Sequence, residues 1–340
     1  MVLFVVISMA PVVLLTFALV SPVWMGVALA YMTVLVLTMD LLAALFRGDA
    51  AEGAEFPGGN ALLVVIGVTA LLALPVAAHV LTGDLGWGWR IAGFLALGFW
   101  LGQVAVPAAH ELIHRRGRGL FWLGAAVYTA LLFGHHTSAH RLVHHRFAAT
   151  RGDPNSARPE EGYYRFALRA WVGSFWHGLQ METERRQVVE RRVRGLHPYV
   201  IYCGGAVLAL TLAYAIAGWG GVLVWGGLSL HAVSQLLLSD YVQHYGLARS
   251  ITVAGKPEPM ALRHSWNAPH WFSSALMLNA PRHSDHHAHP ARPYPALRLP
   301  GPDVAPQLPW PLPLACTIAL FPPVWKRAIR PYLEPWQVKA

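Results

Sequence analysis

Residues 90–114 read "RIAGFLALGFWLGQVAVPAAHELIH", an apolar run that ends directly in two histidines and a glutamate. An α-helix needs about 20 apolar residues to cross the hydrocarbon core of a bilayer. The run therefore predicts a membrane-spanning helix with His110, Glu111 and His114 at its end. Because His110 and His114 are four residues apart, both imidazoles lie on one helix face and can reach one metal ion.

The 340-residue chain as a whole has the composition of an integral membrane protein. Only 13% of its residues are charged and 55% are hydrophobic, whereas soluble domains carry about 25% charged residues. We therefore predict an all-α integral membrane protein with a single domain, residues 1–340, and about six transmembrane helices. The predicted spans lie near residues 2–20, 23–46, 61–81, 90–113, 199–218 and 221–238. The shorter apolar stretch 119–133 predicts a re-entrant or interfacial segment.

Arginines set the predicted orientation. Cytoplasmic loops carry an excess of Lys and Arg, and the fourth span is followed by Arg115, Arg116 and Arg118 and by an arginine-rich run over 185–194. We expect both termini and the catalytic segments 110–198 and 239–340 to be cytoplasmic. The net charge of +9 favours membrane lipids or an acidic protein as partners. It does not favour nucleic acid, because the arginines are interleaved with spans rather than arranged on a recognition fold.

Histidines at ligand spacings continue after the fourth span. In "HRLVHH", residues 140–145, positions i and i+4 of a helix share a face while i+5 points about 100° away, so this group can address two neighbouring metals. The sequence "HSDHH", residues 283–287, has i, i+3 and i+4 spacing, and one more histidine follows the sixth span. The candidate ligands are His110, His114, His140, His144, His145, His244, His283, His286 and His287.

So many imidazoles with few carboxylates exceed the needs of one tetrahedral zinc ion and favour two iron ions with five or six ligands each. A di-iron centre beneath a membrane bundle suits the oxidation of unactivated C–H bonds. A zinc protease using the HExxH pattern of HELIH would leave most of these histidines without a role, and a metal transporter would spread them across the membrane. Histidines without a spaced partner, and His289 after the last cluster, are expected to be structural or, for His289, donor-facing.

These motifs resemble those of the membrane-bound alkane 1-monooxygenases, in the fatty-acid desaturase and hydroxylase superfamily. The most specific pieces are "HELIH", "HHRFAATRGDPNSAR", "YVQHYGLAR", "HSWNAPH" and "NAPRHSDHHAHPARPYPAL". The resemblance implies that the nine histidines bind two iron ions in a multi-pass protein of the bacterial inner membrane. It also implies that rubredoxin, reduced by rubredoxin reductase, supplies electrons for placing one oxygen atom of O2 on the terminal carbon of an alkane.

Two positions depart from the family pattern, which has glutamate where this chain has Ala139 and Gln243. Each loses a carboxylate close to the predicted metals. Related enzymes that hydroxylate aromatic methyl groups share these motifs, so that reaction, another lipid-like substrate, or desaturation of a fatty acyl chain stays open as an alternative.

Five further residues are predicted to support the centre. Asp153 and Asp285 are placed to accept N–H hydrogen bonds from ligand imidazoles and so fix their tautomer, although Asp153 is equally suited to cap the turn before Pro154. Glu111 is expected to orient the first histidine pair rather than to act as a base. Arg282 and Arg292, beside the last histidine cluster, are candidates for docking an acidic rubredoxin. Trp100 and Leu237 are candidates for lining a hydrocarbon channel.

Overall fold

A computed structural model describes residues 1–42, 49, 54, 56–188 and 195–337. These residues form helices and connecting loops without a β-strand, and their only bridges are two isolated ones, Ile251 to Pro257 and Asn267 to Gln307. The predicted all-α class is confirmed. The end of the predicted span 23–46, and Arg191, Arg192 and Arg194 of the arginine-rich run, lie outside the described residues.

The described chain contains four helices that are long and apolar enough to cross a membrane. They are α2 (Val23–Leu42), α3 (Gly59–Val80), α4 (Trp87–Ile113) and α8 (Pro198–His244), and a shorter apolar helix, α1 (Val2–Phe17), precedes them. Helices α1, α2, α3 and α4 coincide with the first four predicted spans. The number of membrane crossings stays a prediction.

Helix α8 contains both of the last two predicted spans. Ala217 (φ −147°, ψ 28°) and Gly218 (φ 56°, ψ −146°) leave the helical conformation inside it, and the positive φ of Gly218 is one that glycine adopts without strain. Both halves of α8 contact the adjacent residues Thr129 and Ala130. A Cβ added to Gly205 in the first half would lie 2.5 Å from Thr129 Cγ2, and Trp225 Nε1 in the second half donates to the carbonyl of Ala130 at 2.8 Å. The two halves therefore form a hairpin whose turn begins at Ala217, just before residue 218, the predicted end of the fifth span.

Helix α4 carries the first histidine pair at its end and contains a π-helical turn, Leu101–Ala105. The turn ends two residues before Pro107, which has no N–H and whose ring clashes with the carbonyl of residue 103 in a regular α-helix. A wider π turn relieves this clash. The distortion of α4 therefore follows from its own sequence.

The segment predicted as re-entrant forms a 13-residue helix, α5 (Arg118–Ala130). It packs closely against the end of α4 at Gly124, where an added Cβ would lie 2.7 Å from the carbonyl oxygen of Ala109 and 2.8 Å from Leu112 Cβ. Glycine is required here because the two backbones approach each other. This contact supports the turn of α4 that carries His110 and His114.

The remaining helices surround the histidine-bearing end of the bundle. They are α6 (residues 136–147), α7 (Tyr163–Val188), α9 (Trp271–Leu276), α10 (His283–Ala288), α11 (Leu312–Ala319) and α12 (Pro322–Gln337). Asp40 of α2 connects the spans to this region, since its Oδ1 atom accepts hydrogen bonds from the backbone N–H groups of Phe272 and Ser273 at 2.9 and 3.1 Å.

We predict that Gly124→Ala lowers the thermal stability of the detergent-solubilised protein. Overpacking of a tight contact costs about 1–3 kcal/mol, and here the neighbour is backbone that cannot rotate away. Gly119→Ala on the same helix is the matched control, because nothing lies within 4 Å of a Cβ added there. Equal melting temperatures for the two variants would contradict the proposed role of Gly124.

Candidate metal centre

All nine predicted histidines converge at one end of the helices, where they form two groups. The members of each group have ring nitrogens that lie within 4.8 Å of one another. The first group contains five residues, His110, His114, His140, His145 and His286; the second contains four, His144, His244, His283 and His287. The contributing elements are the ends of α4 and α8 and the short helices α6 and α10, so the four parts of the sequence meet only in the folded chain.

The Nε2 atoms approach each other at distances typical of neighbouring metal ligands. In the first group the Nε2 atom of His140 lies 2.7 Å from that of His110 and 2.9 Å from that of His145. In the second, the Nε2 atom of His283 lies 3.0 Å from that of His244 and 3.1 Å from that of His287. Adjacent ligands on an octahedral ion with bonds of about 2.1 Å are about 3.0 Å apart. The spacing therefore fits a shared cation in each group.

The protonation state of most of these imidazoles also fits metal binding, because burial lowers their pKa and proximity to other histidines lowers it further. The histidines outside the spans whose pKa falls well below the usual histidine range include His140, His145, His283, His286 and His287. Neutral imidazole is the form that binds a metal ion. Burial in this cluster thus keeps the nitrogen lone pairs available.

One histidine shows the expected orientation directly. Burial lowers the pKa of His144, but the adjacent Asp153 carboxylate raises it above the usual histidine value. His144 Nδ1 donates to Asp153 Oδ2 at 2.8 Å, which leaves its Nε2 atom available to a metal ion. That Nε2 atom is buried and has no hydrogen-bond partner among the described residues. A buried ring nitrogen without a hydrogen-bond partner costs free energy, and a cation in the second group would bind this nitrogen in place of a proton. The residues present therefore fit a bound metal.

The division of the HxxxHH motif differs from the simple helical expectation. His140 and His144 were expected to share a face with His145 pointing away, but His140 and His145 are in the first group and His144 is in the second. The reason is that His140–His144 is a π-helical turn, in which hydrogen bonds connect residues i and i+5. The wider turn returns residue i+5 to the face of residue i.

Asp153 combines the two roles considered for it. Besides its contact with His144, its Oδ1 atom accepts from the backbone N–H of Asn155 at 3.0 Å and its Oδ2 atom from Ser156 Oγ at 2.6 Å. The turn holds the carboxylate, and the carboxylate holds the imidazole. The pKa of Asp153 is lowered, because the contacts with His144 and with these N–H and O–H donors outweigh the opposing effect of burial.

Glu111 and Asp285 were predicted to contact metal-binding histidines, but their hydrogen bonds are to other residues. Glu111 Oε2 accepts from Arg115 Nη2 at 2.8 Å and from the backbone N–H of Tyr294 at 3.2 Å. Asp285 accepts from His289 Nδ1 at 3.0 Å and from the backbone N–H of Arg298 at 2.8 Å. Asp285 is two residues after His283, about 200° around the helix, and so faces away from the cluster. Both carboxylates instead hold the segment that follows α10.

The two arginines predicted to dock a donor are paired within the chain. Arg282 Nη1 donates to Asp49 Oδ1 at 2.8 Å, with 14% of its side chain exposed. Arg292 forms an ion pair with Asp285, with 24% exposed. Their charges are therefore less available to a partner than the sequence suggested.

Two buried residues at the centre were missed by spacing arguments. His136 lies one turn before His140, with ring centroids 5.1 Å apart, and lines the cavity described below. Asp240 lies one turn before His244 and accepts a hydrogen bond from Asn155 Nδ2 at 2.7 Å, next to the turn of Asp153. Their i−4 positions relative to predicted ligands are the signal that points to them.

The two positions that depart from the family pattern have packing or backbone contacts. Gln243 Nε2 donates to the carbonyl of Ala280 at 3.1 Å, and its Oε1 atom accepts from Ser239 at 2.7 Å. It thereby joins the end of α8 to the loop before His283. Ala139 is 3% exposed and faces Gly178 of α7, where an added Cβ would lie 3.0 Å from the Ala139 Cβ.

A cavity of about 700 Å³ leads from the apolar helices to the histidines. His110, His140 and His286 of the first group and His283 of the second line it, together with many apolar side chains of α2, α4, α8 and α11. The sequence candidates Trp100 and Leu237 are not among its lining residues. Trp100 instead donates to the carbonyl of Ser8 at 2.9 Å, because its side chain is packed against α1.

The fold and the histidine groups agree with comparisons to known proteins. Residues 85–316 match the sequence profile of the fatty acid desaturase family, and the chain belongs to this family. It is 32% identical to alkane 1-monooxygenase 1 of Pseudomonas aeruginosa, over 86% of this chain and 79% of that protein. It is 28% identical to alkane 1-monooxygenase 2 of Alcanivorax borkumensis, over 80% of this chain and 71% of that protein. It is also 27% identical to the xylene/toluene monooxygenase hydroxylase component of Pseudomonas putida, over 73% and 66%.

We predict that Asp153→Asn weakens binding of one of two metal ions. Loss of a partner that orients a metal-binding histidine typically lowers metal affinity by about 10- to 100-fold. Titration of metal-free protein with ferrous iron under anaerobic conditions measures this, with the exposed Asp303→Asn as the matched control. Two unchanged binding events in Asp153→Asn would refute the role assigned to the carboxylate.

Proposed function

We propose that this protein is a membrane di-iron monooxygenase that hydroxylates the terminal carbon of alkanes with O2. The observation that carries the proposal is the cavity, whose apolar wall ends at histidines of both groups. The names of its relatives, alkane 1-monooxygenases of several bacteria, support the same reaction.

The nine histidines are the proposed ligands of two iron ions. A group of five imidazoles exceeds the four ligands of a structural zinc site, and nitrogen ligands in larger number suit iron. When bound, the two iron ions would supply the activation of O2 that oxidation of an unactivated C–H bond requires. The protein's own contribution is to hold neutral imidazoles in two converging groups and to keep water away from the reacting carbon.

The reaction consumes one O2, two electrons and two protons. One oxygen atom enters the terminal C–H bond to give the primary alcohol, and the other leaves as water. The cavity positions the substrate, because an alkyl chain lying along its apolar wall reaches His110, His140, His283 and His286 with one end. Terminal selectivity then follows from which carbon lies next to the histidines.

The hydroxylase component of xylene/toluene monooxygenase among the relatives favours a second candidate, hydroxylation of an aromatic methyl group. Such a substrate also presents a methyl carbon at the end of an apolar body. Both candidates use the same centre and differ in the occupant of the cavity.

We further propose that the electron donor is rubredoxin, itself reduced by rubredoxin reductase, and that it docks on the cytoplasmic face of the bacterial inner membrane. His114 and His145 are partly exposed, whereas the second group is entirely buried. Beside them lie the exposed Arg141, whose guanidinium carbon is 5.0 Å from the ring centre of Phe121, and the exposed Arg146. This positive surface suits an acidic donor, and it replaces Arg282 and Arg292 as the centre of the proposed docking face.

We expect the purified enzyme, supplied with rubredoxin, its reductase, NAD(P)H and ¹⁸O2, to convert octane to ¹⁸O-labelled 1-octanol. p-Xylene is the parallel substrate, and mass spectrometry of the products distinguishes the two candidates. His286→Ala should lose this activity, while His79→Ala, an exposed histidine at the end of α3, should retain it. Labelled 4-methylbenzyl alcohol with no octanol would replace the leading candidate by the second.

The docking proposal predicts that Arg141→Glu and Arg146→Glu each raise the KM for rubredoxin several-fold. Reversal of a surface charge at an interface slows association, and the effect shrinks as salt screens the charges. KM measured at low and high ionic strength tests this, with the exposed Arg165→Glu of α7 as the control. Equal KM values for all three variants at low salt would remove these arginines from the interface.

A further inference from the structure

A polar cluster lies within the membrane helices, in the wall of an otherwise apolar cavity. Gln103 of α4 and His231 and Gln235 of α8 line the same cavity as the histidines of the centre. A plain alkane offers no hydrogen bond to any of them. Polar side chains within membrane spans are costly and usually serve a function.

The hydrogen bonds of the cluster fix the orientation of both amides. Gln235 Nε2 donates to the carbonyl of Gly98 at 2.9 Å and contacts that of His231 at 3.3 Å, so the nitrogen of this amide must face these two carbonyls. Its Oε1 atom therefore faces Gln103, whose Nε2 donates to it at 3.3 Å. The remaining Oε1 atom of Gln103 must then be an acceptor that points elsewhere.

That acceptor is unsatisfied. Gln103 is only 8% exposed, and its Oε1 atom accepts a hydrogen bond from none of the described residues. A buried carbonyl oxygen without a donor is unfavourable, and in an apolar surrounding no water replaces the donor without cost. The cluster lacks one hydrogen-bond donor, which a ligand in the cavity can supply.

The backbone around the cluster is built to admit these polar side chains. A Cβ added to Gly98 would lie 2.6 Å from His231 Nδ1, and one added to Gly102 would lie 2.4 Å from Gln235 Nε2. The two glycines, one turn apart on α4, leave the space that the imidazole and the amide of α8 occupy. The π-helical turn Leu101–Ala105 contains Gln103 itself.

The distance from the cluster to the centre sets the length of the ligand. Gln103 and His110 are seven residues apart on α4, about 10 Å at 1.5 Å per residue. An extended hydrocarbon advances roughly 1.3 Å per carbon with C–C bonds of about 1.5 Å. Roughly eight carbons therefore separate a group at Gln103 from a methyl carbon at the histidines.

We propose that the cavity also takes a medium-chain primary alcohol, whose O–H donates to Gln103 Oε1 while its far methyl group is hydroxylated. This inference rests on the proposed function and extends it from alkanes to alkyl chains with a hydroxyl group at one end. For 1-octanol the product is 1,8-octanediol: the terminal C–H bond breaks, a C–O bond forms with one atom of O2, and the second atom leaves as water with two electrons from the donor protein and two protons.

The first test uses the wild-type holoenzyme with its electron donors and three substrates, octane, 1-octanol and octyl methyl ether. The ether has an oxygen at the same place but no O–H to donate. We expect 1,8-octanediol from 1-octanol, with kcat/KM higher by roughly 5- to 10-fold than for terminal hydroxylation of the ether, the effect of one ordinary hydrogen bond. Equal values for alcohol and ether would overturn the inference.

The second test compares Gln103→Leu with Gln180→Leu, a change at an exposed glutamine of α7. Gln103→Leu should still bind two ferrous ions on anaerobic titration, which shows that it folds, and should lose the preference for 1-octanol over the ether. Gln180→Leu should keep that preference. An unchanged preference in Gln103→Leu would refute the role of Gln103. Octane hydroxylation without diol formation refutes this inference alone, whereas failure of the wild type on every substrate refutes the proposed function as well.

Discussion

The close approach of neutral imidazole nitrogens is the constraint on which the rest of this structure depends. Nε2 atoms 2.7–3.1 Å apart in a buried region must share either a proton, in an N–H···N hydrogen bond, or a cation. Protonation cannot relieve this contact, because charging several neighbouring buried imidazoles would add mutual repulsion to the cost of burial. Both groups of histidines therefore fit a bound cation.

That requirement explains the unusual local geometry of the helices. A regular helix cannot place both members of the pair His140 and His145 on one face, and a π-helical turn does so by adding one residue to the turn. Gly124 lets α5 approach the end of α4, and Gln243 connects the end of α8 to the loop before α10. Each of these three features positions one segment that carries histidines of the two groups. Asp153 then fixes the tautomer of His144 from outside the cluster.

The cavity places a second, different constraint on the same helices. Its wall is mostly apolar, as the proposed hydrocarbon substrate requires, yet Gln103, His231 and Gln235 line it. Two glycines of α4 leave space for the side chains of His231 and Gln235. Gln235 is held there by a hydrogen bond to the carbonyl of Gly98. One helix, α4, thus carries both the histidine pair at its end and Gln103 about two turns earlier. The distance between Gln103 and the histidine pair is set by helix geometry.

The sequence by itself determined the all-α membrane class, the family and the set of nine histidines that come together, because these depend on apolar run length and on spacings of three to five residues. It also placed Asp153 correctly beside an imidazole, since the pair is only nine residues apart. The tertiary structure alone decided which histidines share a group, because the π-helical turn changes the face that residue i+5 occupies. It alone decided that Asp285, Arg282 and Arg292 are occupied by partners within the chain. The unsatisfied oxygen of Gln103 likewise appears only when α4 and α8 pack together, since hydrogen-bond satisfaction in a membrane depends on which side chains the neighbouring helix presents.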